Sequence, residues 1–244
     1  MNEPLVLLPG FMADARLWGA QIEVFSQTHA VHLAHIGQES AIEDMAEIAL
    51  SGAPASFALA GHGLGAMVAV EMLRRAPDRV KRLALMSTNC LSETPPAAAE
   101  RDLRIARVKA GRLADAMAAE VPDACFAPGK FHELVVDFMG KMAMEQGADA
   151  YLRQAAALQR RPDQQRTLRQ LRVPLLVLCG VHDSLYLPRR HEFMAGLVPR
   201  AELVVLPRAG HAPMVERPRA TNEALRRWLM GEPQVTDSGE HEPK

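Results

Sequence analysis

The chain has few cysteines, and their spacing excludes the sites that cysteines usually build. Cys90, Cys125 and Cys179 lie far apart, and none belongs to a C-x-x-C pair. Disulfide frameworks and structural zinc sites depend on closely and regularly spaced cysteines. We therefore expect no disulfide and no zinc site, and we interpret the three thiols as small buried hydrophobic groups.

The sequence also lacks an excess of either charge. It contains 28 Lys+Arg and 29 Asp+Glu residues, a formal net charge of −1. Proteins that bind nucleic acid or an anionic membrane surface normally present a basic surface. The balance predicts no nucleic-acid partner and no membrane partner, and it favours a small-molecule ligand.

Long apolar runs are absent as well. The first run, Leu5–Leu8, is too short for the core of a signal peptide or for a spanning helix, and no basic residue precedes it. We therefore expect a cytoplasmic protein. With 244 residues, of which 48% are hydrophobic, the chain can bury one large core.

The most informative stretch of the chain is rich in glycine. The apolar run Phe57–Ala60 is followed by Gly61, Gly63 and Gly65 at alternate positions, and then by an alanine-rich helical pattern. This order predicts a strand, a tight turn and a helix. Glycines placed in this way indicate a close backbone approach or an unusual φ angle in the turn.

Two kinds of site use a turn of this type. In the nucleophile elbow, G-x-S-x-G, the central residue holds its side chain above the sheet, and Gly63 occupies that position here. The dinucleotide fingerprint G-x-G-x-x-A also fits Gly61, Gly63 and Ala66. That fingerprint expects an acidic residue after the next strand, but residues 87–89 include none, so the elbow is the better match.

Apolar runs alternate with helical patterns through most of the chain. Strands are predicted at Leu5–Leu8, Ala30–Ala34, Phe57–Ala60, Val80–Met86, Val173–Gly180 and Ala201–Leu206. Continuous apolar runs of this length are typical of strands buried on both faces of a parallel sheet. The predicted fold class is α/β, with a mostly parallel, doubly wound sheet and helices on both faces.

Between residues 91 and 171 the pattern changes to helices alone. We predict them at Glu100–Lys109, Arg112–Glu120, Phe131–Glu145 and Ala148–Gln159, separated by Gly or Pro. We interpret residues 91–171 as a helical lid, or cap, on a core formed by residues 1–90 and 172–230. The polar tail, residues 231–244, is expected to be disordered.

Four motifs follow one another along the chain. They are Leu7-Leu8-Pro9-Gly10-Phe11 with Trp18, Gly61-His62-Gly63-Leu64-Gly65, Gly180-Val181-His182-Asp183, and Gly210-His211-Ala212-Pro213 with Glu216 and Pro218. Each motif is weak by itself, but in this order and spacing they resemble the α/β-hydrolase superfamily, of the compact esterase or C–C-bond hydrolase type. The resemblance reaches about Met230 and implies the α/β-hydrolase sheet, with the lid inserted after the strand at 80–86.

The resemblance implies a catalytic triad in the order nucleophile, acid and histidine. His211 would be the base, and Asp183 would orient it and stabilise its protonated form. The nucleophile position falls on Gly63, which departs from the pattern because glycine has no side chain that could attack a carbonyl.

The same resemblance implies an oxyanion hole and no cofactor. The backbone N–H groups of Phe11 and Leu64 would hold the oxyanion, with Met12 as the alternative to Phe11. His62 would pack beside the turn. No metal is implied, because the histidines show no ligand spacing such as H-x-x-x-H.

Three explanations for Gly63 stay open: a laboratory substitution, a natural loss of activity, and altered chemistry in which His211 activates water or moves a proton. Ser87 and Cys90 follow the next strand, but a turn-capping hydroxyl and a buried thiol are the better interpretations of them. The implied ancestral reaction is hydrolysis of a small carboxylic ester or a related acyl or C–C bond. The alternative function is that of a non-enzymatic, ligand-binding pseudohydrolase.

The remaining histidines are not assigned to the site, and the side chains of the predicted lid indicate the kind of ligand. His35 and His182 lie near predicted strand ends, and the others are interpreted as surface or loop residues: His29, His32, His132, His191 and His241. The lid is rich in adaptable apolar side chains, which favour a small and largely apolar acyl ligand: Met117, Phe126, Phe131, Phe138, Met139, Met142 and Met144. Arg104, Arg107 and Lys109 are candidates for binding a carboxylate, and a homodimer is left open.

Overall fold

The apolar runs form a six-stranded parallel sheet in the computed structural model, which describes residues 2–231. The strands are β1 (Leu5–Leu8), β2 (Val31–Leu33), β3 (Phe57–His62), β4 (Val80–Met86), β5 (Leu175–Gly180) and β6 (Glu202–Leu206). They lie in the order β2-β1-β3-β4-β5-β6, and every neighbouring pair is parallel. The predicted α/β fold class is confirmed.

Helices connect the strands and fill the segment after β4. They are α1 (Gly19–Phe25), α2 (Ile42–Gly52), α3 (Leu64–Arg75), α4 (Pro95–Lys109), α5 (Leu113–Glu120), α6 (His132–Gln159), α7 (Gln165–Arg169), α8 (Pro188–Gly196), α9 (Pro213–Glu216) and α10 (Pro218–Met230). Short 3₁₀ turns span Ala15–Trp18 and Asp123–Cys125.

Two helices in residues 91–171 differ from the prediction in their bounds. α4 begins at Pro95 rather than Glu100, because Thr94 caps it and prolines occupy its first positions, where proline is favourable. α6 runs through the region where two helices were predicted, but Gly147 breaks it with φ 81° and ψ 174°. Glycine adopts such a positive φ without a steric penalty.

Successive strand residues point to opposite faces of the sheet and enter two different cores. Val6 and Leu8 of β1 pack with side chains of α2 and α3, whereas Leu5 and Leu7 pack with side chains of α1 and α10. All residues of β1, β3 and β5 are buried. Burial on both faces explains why these strands are continuous apolar runs in the sequence.

The helical segment 91–171 packs onto the loop that follows β1. Met12 of this loop belongs to a third core, with Val108, Ala116 and Tyr151 from α4, α5 and α6. The ring of Phe11 also meets that of Tyr151 edge to face, with centroids 5.2 Å apart. The segment therefore lies over the carboxyl end of β1, and its role as a lid stays a prediction.

Within residues 2–231, no helix is both long enough and apolar enough to cross a membrane. Gly231 ends α10 in a left-handed conformation, with φ 72°. The rest of the predicted disordered tail, residues 232–244, lies outside the described residues.

The end of β1 and the start of α3 approach each other closely at Gly65. A Cβ atom on this residue would overlap the carbonyl oxygen of Pro9 and would lie 2.6 Å from that of Leu8. Both neighbours are backbone atoms, so a side chain at this position requires the strand or the helix to move.

We predict that Gly65→Ala lowers the free energy of unfolding by about 1–3 kcal/mol, the usual cost of an overpacked core. The matched control is Gly140→Ala in α6, where an added Cβ meets nothing within 4 Å. That substitution should stabilise by about 0.5–1 kcal/mol, since alanine is the better helix former. Urea unfolding of both variants measures the difference, and an unchanged stability of Gly65→Ala would contradict the packing argument.

Candidate active site

The turn between β3 and α3 has the backbone geometry of a sharp elbow. Gly63 has φ 52° and ψ −116°, a conformation that a residue with a side chain adopts only under strain. Its N–H donates to the carbonyl of Met86 at 2.9 Å, and its own carbonyl accepts from Thr88 Oγ1 at 2.9 Å. The nearest atom to a Cβ placed on Gly63 would be Gly10 Cα at 3.8 Å, so the space beside this residue is open.

Asp183 and His211 come together from two loops at the carboxyl ends of β5 and β6. Asp183 Oδ2 lies 3.1 Å from His211 Nδ1. The other carboxylate oxygen accepts the backbone N–H groups of Leu185 at 3.0 Å and Tyr186 at 2.9 Å. With both oxygens bonded and only 1% of the residue exposed, Asp183 is held in one orientation toward the histidine.

The surroundings of Asp183 favour its ionised form. Burial by itself disfavours the charge, but His211 and the N–H of Tyr186 outweigh burial and hold the pKa of the carboxyl below its usual value. An ionised Asp183 binds the proton on Nδ1 of His211, which leaves the lone pair on Nε2. Nε2 makes no hydrogen bond with the described part of the chain, and His211 lines a cavity.

His62, the last residue of β3, fixes the main chain of His211. Its Nε2–H donates to the carbonyl oxygen of His211 at 2.7 Å, and the two ring centroids are 4.8 Å apart. Burial lowers the pKa of His62 to about 3, so the ring is neutral. A Cβ on Gly10 would overlap the ring, so this histidine fits only because residue 10 is glycine.

His191 was expected at the surface, and that expectation is wrong. The residue is fully buried in α8, where Nε2 accepts the N–H of Thr88 at 2.9 Å and Nδ1 lies 3.3 Å from the carbonyl oxygen of Leu187. Burial lowers the pKa of His191 to about 4. The hydroxyl of Thr88 in turn donates a hydrogen bond to the carbonyl of Gly63, so His191 supports the elbow through Thr88.

The other histidines lie away from this site. His35 and His182 are exposed. Among residues 2–231, no group of three or more His, Cys, Asp or Glu side chains is arranged to hold a metal ion. His241 lies outside the described residues.

Two backbone N–H groups next to the elbow differ in their hydrogen bonding. The N–H of Leu64 starts α3, where a helix offers it no internal acceptor. The N–H of Met12 is already bound, since it donates to Gln154 Oε1 at 2.7 Å. Phe11 and Leu64 both line the cavity. Gln154, which sequence reasoning missed, holds the Phe11 loop from α6.

The cavity next to His211 has a volume of about 440 Å³. Gly63, Leu64, Phe11 and His211 form one part of its wall. Most of the remaining wall is polar or charged and comes from the helical segment and from the loop after β5. The charged lining residues are Glu93, Glu100, Arg101, Arg104, Glu120, Arg161, Arg189 and Arg190.

A second cavity of about 230 Å³ adjoins the first and shares Phe11 and Val121 with it. Its lining is mainly apolar and includes Met117, Met139 and Met144 from the predicted set. The other four members of that set do not line it: Phe126 and Met142 are buried, Phe138 packs against the core, and Phe131 is 63% exposed. Arg104 lines the first cavity, whereas Arg107 and Lys109 do not.

Neither Ser87 nor Cys90 lines the cavity, although both follow β4. Both side chains are buried, and burial raises the pKa of the Cys90 thiol to about 11. The Oγ of Ser87 has no hydrogen-bond partner among the described residues. The structure therefore supplies no replacement nucleophile at these two positions. All three cysteines are buried and free.

The chain matches known hydrolases in sequence and in structure. A sequence model described as the alpha/beta hydrolase family matches residues 5–224. A pimeloyl-[acyl-carrier protein] methyl ester esterase from Nitrosomonas europaea is 24% identical over 228 residues, 88% of this chain and 90% of that protein. A malate-bound thermophilic esterase from Thermogutta terrifontis is 27% identical, with a TM-score of 0.84 over 95% of this chain and 90% of its own. The enol-lactonase from Burkholderia xenovorans LB400 is 21% identical, with a TM-score of 0.81 over 94% of this chain and 92% of its own. At this identity the likeness is one of fold alone.

The two buried histidines predict a specific loss of stability in acid. The unfolded chain binds protons on His62 and His191 near pH 6.5, whereas the folded chain binds them only near pH 3 and pH 4. Stability is therefore complete above about pH 6.5 and falls as the pH decreases toward 4, by about 1.4 kcal/mol per pH unit for each histidine. Asp183, whose pKa is lowered, adds a further loss only below its ordinary value of 3.8.

Urea unfolding of His191→Gln between pH 7 and pH 4.5 tests this assignment. We expect the variant to be less stable at pH 7, because the Thr88 hydrogen bond is disturbed. We also expect its stability to decrease less steeply as the pH falls, because the variant takes up about one proton fewer on unfolding. His32→Gln is the control, since it makes the same substitution at an exposed position. Equal slopes for all three proteins would show that His191 is not a buried neutral group.

Proposed function

The chain belongs to the alpha/beta hydrolase family, and we propose that its larger cavity binds a small carboxylic ester, or a related acyl compound, and hydrolyses it by water attack. One observation carries this proposal: His211, oriented by Asp183 at 3.1 Å, shares a cavity with the open elbow position Gly63. The esterases among its relatives support the acyl class of substrate.

His211 is the proposed general base. Its Nε2 takes a proton from a water molecule that occupies the space where a side chain on residue 63 would lie. The water oxygen bonds to the carbonyl carbon of the ester, and the carbonyl oxygen becomes an oxyanion. The N–H groups of Phe11 and Leu64 are proposed to stabilise this oxyanion.

Collapse of the tetrahedral intermediate completes the reaction. The bond between the carbonyl carbon and the leaving oxygen breaks, and His211 returns its proton to the departing alcohol. Asp183 stabilises the imidazolium in the interval between the two transfers. Acid and alcohol are released, and no cofactor takes part.

The missing side chain at residue 63 sets the expected rate. A bound water is positioned less precisely than a hydroxyl attached to the elbow, so the reaction should be slower than one through an acyl-enzyme. Gly63 is also the observation that favours the second candidate function, a pseudohydrolase that binds the ester without turnover.

The two cavities suggest how the substrate lies. With the ester carbonyl at the N–H groups of Phe11 and Leu64, an apolar acyl chain extends into the second cavity, lined by Met117, Met139 and Met144. We propose that residues 91–171, which contribute most of that lining, act as a lid on the core formed by 1–90 and 172–230.

Gly63→Ser tests whether the site lacks only its hydroxyl. A side chain at this position meets no close contact but is strained by the positive φ of residue 63, so folding of the variant is verified by circular dichroism. We expect kcat/KM for p-nitrophenyl butyrate to rise by about 100-fold or more, and a fluorophosphonate to label the introduced hydroxyl covalently. His211→Ala in the serine variant should remove most of the gain and the labelling.

Gly52→Ser is the matched control, because it adds the same hydroxyl at an exposed position of α2 that lines neither cavity. It should leave activity and labelling unchanged. A folded Gly63→Ser protein that stays inert and unlabelled with every acyl length would contradict the acyl-transfer arrangement.

A further inference from the structure

The wall of the larger cavity carries more positive than negative charge. Five arginines and three glutamates line it. This excess of two positive charges contrasts with the balanced composition of the whole chain. The charges fall into two groups, a buried cluster in the helical segment and an exposed pair on α8.

The buried cluster is almost internally neutral. Arg101 binds Glu93 at 3.0 Å and Glu120 at 2.6 Å, Arg104 binds Glu120 at 2.6 Å, and Arg161 binds Glu93 at 3.1 Å. Three guanidinium groups thus face two buried carboxylates. The third carboxylate, Glu100, is 3.9 Å from Arg104 and 73% exposed, so water screens it and one positive charge of the cluster stays poorly compensated.

The exposed pair, Arg189 and Arg190, has no carboxylate within ion-pair distance among residues 2–231. Both lie in the first turn of α8, which contains no acidic residue. Cations at this end of a helix are disfavoured by the helix dipole. Within the described chain, neither of these two charges is therefore neutralised by an ion pair.

The pair lines the same cavity as the proposed base. Between Asp183 and Arg190 the chain runs along the cavity, and Ser184, Leu185 and Tyr186 line it as well. The ring of Tyr186 is 5.8 Å from the ring of His211. A ligand held at His211 can thus reach the two guanidinium groups within one cavity.

We propose that the substrate carries a carboxylate besides its ester group, and that Arg189 and Arg190 bind this carboxylate. The inference rests on the proposed ester site and specifies its substrate class. Guanidinium groups bind carboxylates through paired, charge-assisted hydrogen bonds. The anion also meets the positive end of the α8 dipole and the residual charge of the buried cluster, while the apolar part of the substrate extends toward the methionine-lined cavity.

Monomethyl adipate and dimethyl adipate are a suitable pair of probes, because they have the same chain and differ in one negative charge. Ligand-observed NMR titration of the unaltered protein at low salt measures both affinities, and the methanol signal reports any turnover. We expect the monoanion to bind about tenfold more tightly than the diester, with an advantage that shrinks as salt is added.

Substitutions on α8 test whether these two arginines cause the preference for the monoanion. Arg189→Gln and Arg190→Gln should each weaken binding of the monoanion about fivefold and change binding of the diester less than twofold. Both residues are exposed, so folding should be unaffected. Arg172→Gln is the matched control, because Arg172 is exposed and does not line the cavity.

The outcomes separate this inference from the proposed function. Equal affinities for the two probes, or a charge preference that survives in both variants, would overturn the carboxylate site and leave the ester site standing. Binding of neither probe would overturn both proposals. A preference lost in the α8 variants alone supports the carboxylate site, and release of methanol in the same titration supports the proposed hydrolysis.

Discussion

The close backbone approach between the end of β1 and the start of α3 is the constraint on which the site depends. Gly65 meets the carbonyl groups of Leu8 and Pro9, and a Cβ on Gly63 would contact Gly10 Cα. This approach brings the loop that carries Phe11 next to the first turn of α3, which carries Leu64. Two N–H groups on separate elements can then face one cavity, and neither depends on the chemistry of residue 63. The arrangement that we propose for the ester site therefore does not require a side chain at residue 63.

Buried neutral polar groups hold this framework in place. A hydrogen bond from His62 links β3 to the main chain of His211. In the same way His191 links α8 to Thr88, and Gln154 links α6 to the loop that carries Phe11. A neutral imidazole can donate from one nitrogen and accept at the other without the desolvation cost of a charge. Asp183 carries a charge beside these groups, and its oxygens accept hydrogen bonds from backbone N–H groups and from His211.

Much of the fold and part of the site could be predicted from the sequence, for identifiable physical reasons. Strands buried on both faces give continuous apolar runs, so the sheet could be predicted. Asp183 and His211 follow the last two strands within recognisable motifs. His191 could not be found in this way, because its burial depends on Thr88, which lies 103 residues away in the chain. Likewise, the burial of Arg101 could not be predicted, because its partners Glu93 and Glu120 lie outside its own helix.

We propose that His211 activates water in the chain as it stands, with glycine at residue 63. The most direct measurement is hydrolysis of p-nitrophenyl butyrate by the unaltered protein and by His211→Ala, with intact-mass analysis of the quenched reaction. We expect turnover proportional to protein concentration, no burst and no covalent adduct, with a loss of about tenfold or more in His211→Ala. Identical rates for the two proteins, at the level of the uncatalysed reaction, would contradict it and would leave a ligand-binding protein.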